Sequence, residues 1–241
     1  MAARCAALGP VWSNRIRALL FDLDGTLIDT EPDIALALNR TLRWLGRPEA
    51  ESAQVRGWIG DGARALLDKA LDASSTEAQW ARFSFEYDAC CGEASRPYHG
   101  AAPMLERLRA AGVKLAMVTN KEARFVHRLL TRHDLGAYFD VLVAGDTLPL
   151  RKPHPDGVFH ALAALDVAPA AAALIGDSVI DIRTARAAGV QAWFVGHGYG
   201  TGDFAATDRP DVTIDHFEAL AAGFACVPGW NDGSSKRRTT V

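Results

Sequence analysis

From residue 100 onward, short continuously apolar runs alternate with amphipathic stretches, and nothing else in the 241-residue chain restricts its fold as strongly. Residues 113–119, 141–145, 172–177 and 190–195 read as strands. Helices are predicted over 122–133, 155–165 and 179–188, the last closed by Gly189. Strands that are apolar on both faces and separated by helices belong in a parallel sheet covered on both sides. Residues 17–21 read as one more strand of that sheet, far away in sequence.

Residues 31–98 follow a different rhythm. Ile34, Leu38, Leu42 and Leu45 recur at helical spacing, as do Leu66, Leu67, Ala70 and Leu71, and no convincing strand is visible. This block is predicted to be a helical insert within the α/β domain. Asp29-Thr30-Glu31-Pro32 resembles a helix start, and residues 96–100 a return linker. The expected division is an α/β core from 14–30 and 99–225, a helical cap over 31–98, and flexible tails at 1–13 and 226–241.

Composition excludes more than it selects. A net charge of -3 offers no electrostatic footprint for nucleic acid or an anionic membrane surface. No apolar stretch reaches the ~20 residues of a spanning helix. The early residues lack a sustained apolar run before Arg15 and Arg17, which argues against a secretory leader; their lack of acidic residues leaves a transit peptide open. Cys5, Cys90, Cys91 and Cys226 show no metal-ligand spacing and read as reduced thiols of a cytoplasmic protein.

Four separated segments carry the chemistry. Asp22 and Asp24 follow the first strand, Thr119-Asn120-Lys121 close the strand over 113–119, Lys152 comes shortly after 141–145, and Asp177 ends 172–177 with Asp181 four residues on. Taken singly, each has an ordinary explanation: a turn, a helix cap, a solvated lysine. Together they fall at carboxyl ends of parallel strands, where open sheets bind ligands. The set suggests phosphoryl transfer through a covalent intermediate. Asp22 is the candidate nucleophile and Asp24 the general acid and base. Mg²⁺ is the expected cation, on the side chains of Asp22 and Asp177 and the backbone carbonyl of Asp24, with Asp181 orienting water beside it. Thr119, Asn120, Lys121 and Lys152 are the candidate substrate-binding residues, Thr119 and Lys152 also stabilising charge on the phosphoryl group.

These motifs, in order over residues 17–195, resemble those of the haloacid dehalogenase superfamily phosphatases. Within that superfamily the chain is similar to the phosphoglycolate phosphatases, through Trp58-Ile59-Gly60-Asp61-Gly62-Ala63, Val118-Thr119-Asn120-Lys121, Lys152-Pro153-His154-Pro155 and Gly198-Tyr199-Gly200. The resemblance implies a Rossmann-like core with an inserted helical cap, Mg²⁺ dependence, and release of glycolate from 2-phosphoglycolate. Glu122, where relatives often have proline, and His197 depart from the pattern near the expected substrate mouth. A substrate bearing a carboxylate calls for a second cation, for which Lys121, Arg64 and Arg124 are candidates. Trp58 is either a ligand contact or cap packing.

The expected partner is a small phosphorylated metabolite, bound by a monomer or homodimer. The rival readings are a phosphatase for a sugar phosphate such as N-acetylmuramate 6-phosphate, and a phosphomutase. A dehalogenase has no need of an acid at Asp24, and fast hydrolysis would defeat a phospho-aspartate switch.

Overall fold

The computed structural model describes residues 15–224; both predicted tails lie outside them. β1 (Ala18–Phe21) is wholly buried and lies at the centre of the sheet. A short strand outside that sheet, β2 (Ile28–Asp29), leads into four helices: α1 (Glu31–Trp44), α2 (Ser52–Trp58), α3 (Ala63–Leu71) and α4 (Glu77–Cys90). The chain returns through β3 (Arg96–Pro97), then α5 (Ala101–Ala110), β4 (Lys114–Val118), α6 (Ala123–Arg132) and β5 (Val141–Val143). Next come α7 (Asp156–Leu165), β6 (Ala172–Gly176), α8 (Val179–Ala188), β7 (Gln191–Val195), β8 (Val212–Ile214) and α9 (Phe217–Phe224).

Six strands form one parallel sheet in the order β5-β4-β1-β6-β7-β8. The chain builds outward from β1 to β4 and β5, then crosses back to build β6, β7 and β8 on the other side. This reversal is the topological switch at which sheets of this kind open a crevice. Side chains of β1 alternate between faces. Leu19 and Phe21 pack with Met104, Phe125 and Phe217, while Ala18 and Leu20 pack with Val158, Leu162 and Ala185. Both faces are covered, as the continuous apolar runs require.

Helix boundaries follow local chemistry. In α6, Phe125, Val126, Leu129 and Leu130 turn inward. In α8, Ser178 and Asp181 form a reciprocal N-terminal cap and Gly189, at φ 69°, ends the helix. The predicted helix and strand positions agree with these elements to within a few residues. One correction concerns residues 31–98, where no strand was expected: Arg96–Pro97 pairs antiparallel with Ile28–Asp29. Two residues per strand carry no periodicity, so this ribbon is invisible to pattern reading.

Within the helical block, α1 packs along α4. Asp33, fully buried in the first turn of α1, accepts hydrogen bonds from the backbone of Gly92, Ala94 and Ser95 and from the Ser95 hydroxyl. It ties the start of the block to its end. Trp58 is partly buried against the core cluster, the packing alternative of its two readings.

Candidate active site

The β1 ladder runs one bond past its end, Asp22 N–H donating to the Ile175 carbonyl at 2.9 Å. Asp22 therefore emerges beside the end of β6, where Asp177 follows Gly176. Asp181 arrives from the first turn of α8. One carboxylate oxygen from each of Asp22, Asp177 and Asp181 lies within 4.8 Å of the others, and all three residues are buried. The Asp22–Gly25 turn permits this crowding: Gly25 has φ +77°, and a Cβ there would fall 2.3 Å from Asp177 Oδ2.

Lys152 reaches the cluster from the loop after β5, its side chain 3% exposed. Its Nζ lies 2.9 Å from Asp22 Oδ1 and 2.6 Å from Asp181 Oδ1. The approach to Asp22 is an ion pair without good hydrogen-bond direction, and Asp22 Oδ1 has no other partner among the described residues. Among the described residues, Asp177 receives hydrogen bonds from the Tyr199 amide, at 2.7 Å, and the Thr26 hydroxyl, at 3.3 Å. Three buried acids thus share one buried ammonium. Burial, then the charges of Asp181 and Asp22, push Asp177 up to about 8. Burial also raises Asp22 to about 6, against the pull of Lys152. The carboxylates of Asp22 and Asp181 hold the Lys152 ammonium well above its usual range despite burial. An all-oxygen cluster short of positive charge is chemically suited to a hard divalent cation.

Asp24 faces the other way. Its carboxylate accepts from Lys121 Nζ at 2.9 and 3.1 Å and from the Thr30 hydroxyl at 2.6 Å. Lys121 in turn lies 4.9 Å over the Tyr87 ring. Thr119 is buried at the end of β4. Asn120 bridges three segments: its Nδ2 donates to the carbonyls of Gly60 and Lys152, and its Oδ1 accepts from the Lys152 amide. The loop from the helical block is thereby tied to the lysine loop. All the nominated residues from Asp22 to Asp181 meet at one end of the sheet.

Two nominated cations do not. Arg64 pairs with Glu77 at 2.6 Å, and Arg124 with Asp88 at 2.6 Å and Glu122 at 3.0 Å. Lys121 is the candidate that lines the cavity over Asp22 and Asp24. His197 is packed between Tyr98 and Phe217 with Nε2 3.0 Å from the Thr26 carbonyl, a structural position. Cys90 and Cys91 are buried, and burial pushes the Cys90 thiol up to about 11, away from thiolate chemistry. Thr26, Thr30 and Tyr199 enter the site without having been singled out for it. Thr30 sits at a recognisable helix start, but its hydroxyl serves Asp24 instead of the helix amides.

The parallel sheet, its covering helices and the carboxylate-lined crevice at the switch point define a doubly wound α/β protein with its ligand site at the carboxyl ends of the strands. Residues 19–195 match the haloacid dehalogenase-like hydrolases, and the chain belongs to that family. It is 39% identical over 218 residues to a phosphoglycolate phosphatase of Pseudomonas putida, covering 87% of this chain and 80% of the relative. Identity to a phosphoglycolate phosphatase of Colwellia psychrerythraea is 37%, over 84% of this chain and 94% of that one. The crystal structure of a predicted phosphoglycolate phosphatase from Haemophilus somnus superposes with a TM-score of 0.77 at 32% identity, over 86% and 96% of the two chains.

Proposed function

We propose that this protein is a Mg²⁺-dependent phosphatase that hydrolyses a small phosphate monoester, 2-phosphoglycolate, through an aspartyl phosphate. The observation that carries the reading is Asp22, a buried carboxylate with an oxygen lacking a directed hydrogen bond, beside Lys152 and within reach of Asp177. A nucleophile must keep a lone pair free, and this one does. In this reading residues 31–98 form a cap domain over a core made of 14–30 and 99–225.

An Asp22 oxygen forms the bond to phosphorus as the bond from phosphorus to the leaving alkoxide breaks. Asp24 gives that alkoxide a proton, and later takes one from the water that cleaves the aspartyl phosphate. Lys152 offsets the repulsion between anionic nucleophile and anionic substrate, and Thr119 with neighbouring amides holds the phosphoryl oxygens as charge shifts. Mg²⁺ held by Asp22, Asp177 and the Asp24 carbonyl would supply the remaining charge neutralisation, with Asp181 oriented behind them. Excess EDTA is expected to abolish phosphate release; full activity under chelation would remove the metal from the scheme. Added Mg²⁺ should raise the Tm of the wild type, since a ligand that binds only the folded form stabilises it, and Asp177→Asn should erase that shift.

Substrate size is read from the walls. The outer walls of the cavity over Asp22 and Asp24 are Ile34, Ile59, Leu66, Phe83, Tyr87 and Phe125, with Lys121 as its cation and Thr119, Asn120 and Glu122 as its further polar groups. Lys121 Nζ contacts both oxygens of Asp24, and an ammonium with three donors keeps capacity for a substrate carboxylate as well. A sugar would leave several hydroxyls against apolar walls, each costing about 1–3 kcal/mol unpaired. Steady-state kinetics should therefore favour 2-phosphoglycolate over N-acetylmuramate 6-phosphate and common hexose phosphates by ~10²-fold or more in kcat/KM. A sugar phosphate turned over equally well would replace the proposed substrate. Stimulation by a bisphosphate would point to the mutase instead.

A further inference from the structure

The Gly198-Tyr199-Gly200 loop after β7 has no part in the chemistry above, yet it touches both the acidic cluster and the start of the helical block. Its backbone lies directly on Asp177: a Cβ at position 198 would come within 2.3 Å of Asp177 Cβ, and the Tyr199 amide donates to Asp177 Oδ2 at 2.7 Å. The Tyr199 side chain runs to α1. Its phenol oxygen accepts from the Thr30 amide at 2.7 Å and the Glu31 amide at 2.9 Å, and donates to Asp29 Oδ1 at 2.9 Å. The Arg56 guanidinium of α2 lies 5.9 Å over its ring.

This arrangement departs from ordinary helix capping. Thr30 is the residue at the N-terminal boundary of α1, and threonine there normally turns its hydroxyl onto amides of the first turn. Here the Thr30 side chain makes no cap bond and goes to Asp24 instead. The start of α1 is held from outside by a phenol in a different segment, 169 residues along the chain.

We infer that Tyr199 is a positioning residue: by anchoring the first turn of α1, it holds the Thr30 hydroxyl on the carboxylate of Asp24. The inference rests on the proposed role of Asp24 as acid and base. Without the phenol, the Thr30 and Glu31 amides and the Asp29 carboxylate lose a shared partner. The turn then relaxes, and the Thr30 hydroxyl leaves Asp24 with it. The amide bond to Asp177 belongs to the backbone and survives replacement of the ring substituent, so metal affinity and anchoring are separable.

Tyr199→Phe tests this. The expected result is a fall in kcat of about tenfold, part of what a positioned acid contributes, with KM and the Mg²⁺ concentration for half-activity changed less than about twofold. Hydrogen exchange of the peptide spanning residues 27–34 should accelerate in the same variant. In a Thr30→Val background the phenol has no hydroxyl left to hold, so Tyr199→Phe should cost less than about twofold more. Unchanged kcat, independent multiplication of the two losses, or a weakening of Mg²⁺ binding in step with kcat would each overturn the inference. Asp24→Asn in the same assay separates the two levels. Its full activity would sink the reading of Asp24 itself, whereas a dead Asp24→Asn beside an unaffected Tyr199→Phe would sink only the role of the phenol.

Discussion

Asp22→Asn is expected to lower phosphate release by at least ~10⁴-fold while the protein stays folded, because a carboxamide keeps the shape of the side chain and loses the nucleophile. Stability should change little. Asp22 gives up its half-share of Lys152, but the substitution also removes one of three crowded acids, and Lys152 keeps its 2.6 Å contact to Asp181. Phosphate release measured over hours, alongside a thermal melt, checks both halves. Retained turnover would take the covalent step away from Asp22. A collapse in Tm would show instead that the residue serves the fold.

Lys152→Met should damage catalysis and stability together. The ammonium is the buried cation in contact with both Asp22 and Asp181, and removing one partner of a buried pair leaves charge uncompensated. Such losses run at about 3–5 kcal/mol, which for a chain of this size lowers Tm by roughly 10 °C. Adding Asp181→Asn to the same chain should recover much of the Tm, since it removes an orphaned charge, but none of the activity. Equal melting of wild type and Lys152→Met would mean that water, not the lysine, already satisfies these carboxylates.

The parts of the structure legible in the sequence are those with a period or a punctuating residue. The strands around β1 announce themselves by unbroken apolar runs, and Gly189 marks the end of α8. Asp22, Asp24, Thr119 and Asp177 stand at or just past strand ends, so placing the strands places them, whereas Lys152 reaches the site from the long loop after β5. What the sequence concealed is direction. Lys121 and Arg124 are three residues apart, yet one faces Asp24 in the cavity and the other pairs with Asp88 of α4. Thr30 looks like a cap and is not used as one. Tyr199 acts across 169 residues, and no local pattern reports a contact of that span. The β2–β3 ribbon leaves no mark in the sequence because two-residue strands have no alternation to read.

That ribbon has a mechanical consequence. Both ends of the helical block leave the sheet through one antiparallel pair, with Ile28 opposite Pro97 and Asp29 opposite Arg96. Helix α1 extends from it for 14 residues, a rigid arm of about 21 Å. Twisting the pair by roughly 10° would swing the far end of the arm through about 4 Å, by simple lever geometry on that length. Such a twist would displace the far end of α1 while leaving the ladder of the six-stranded sheet, to which the ribbon does not belong, as it is.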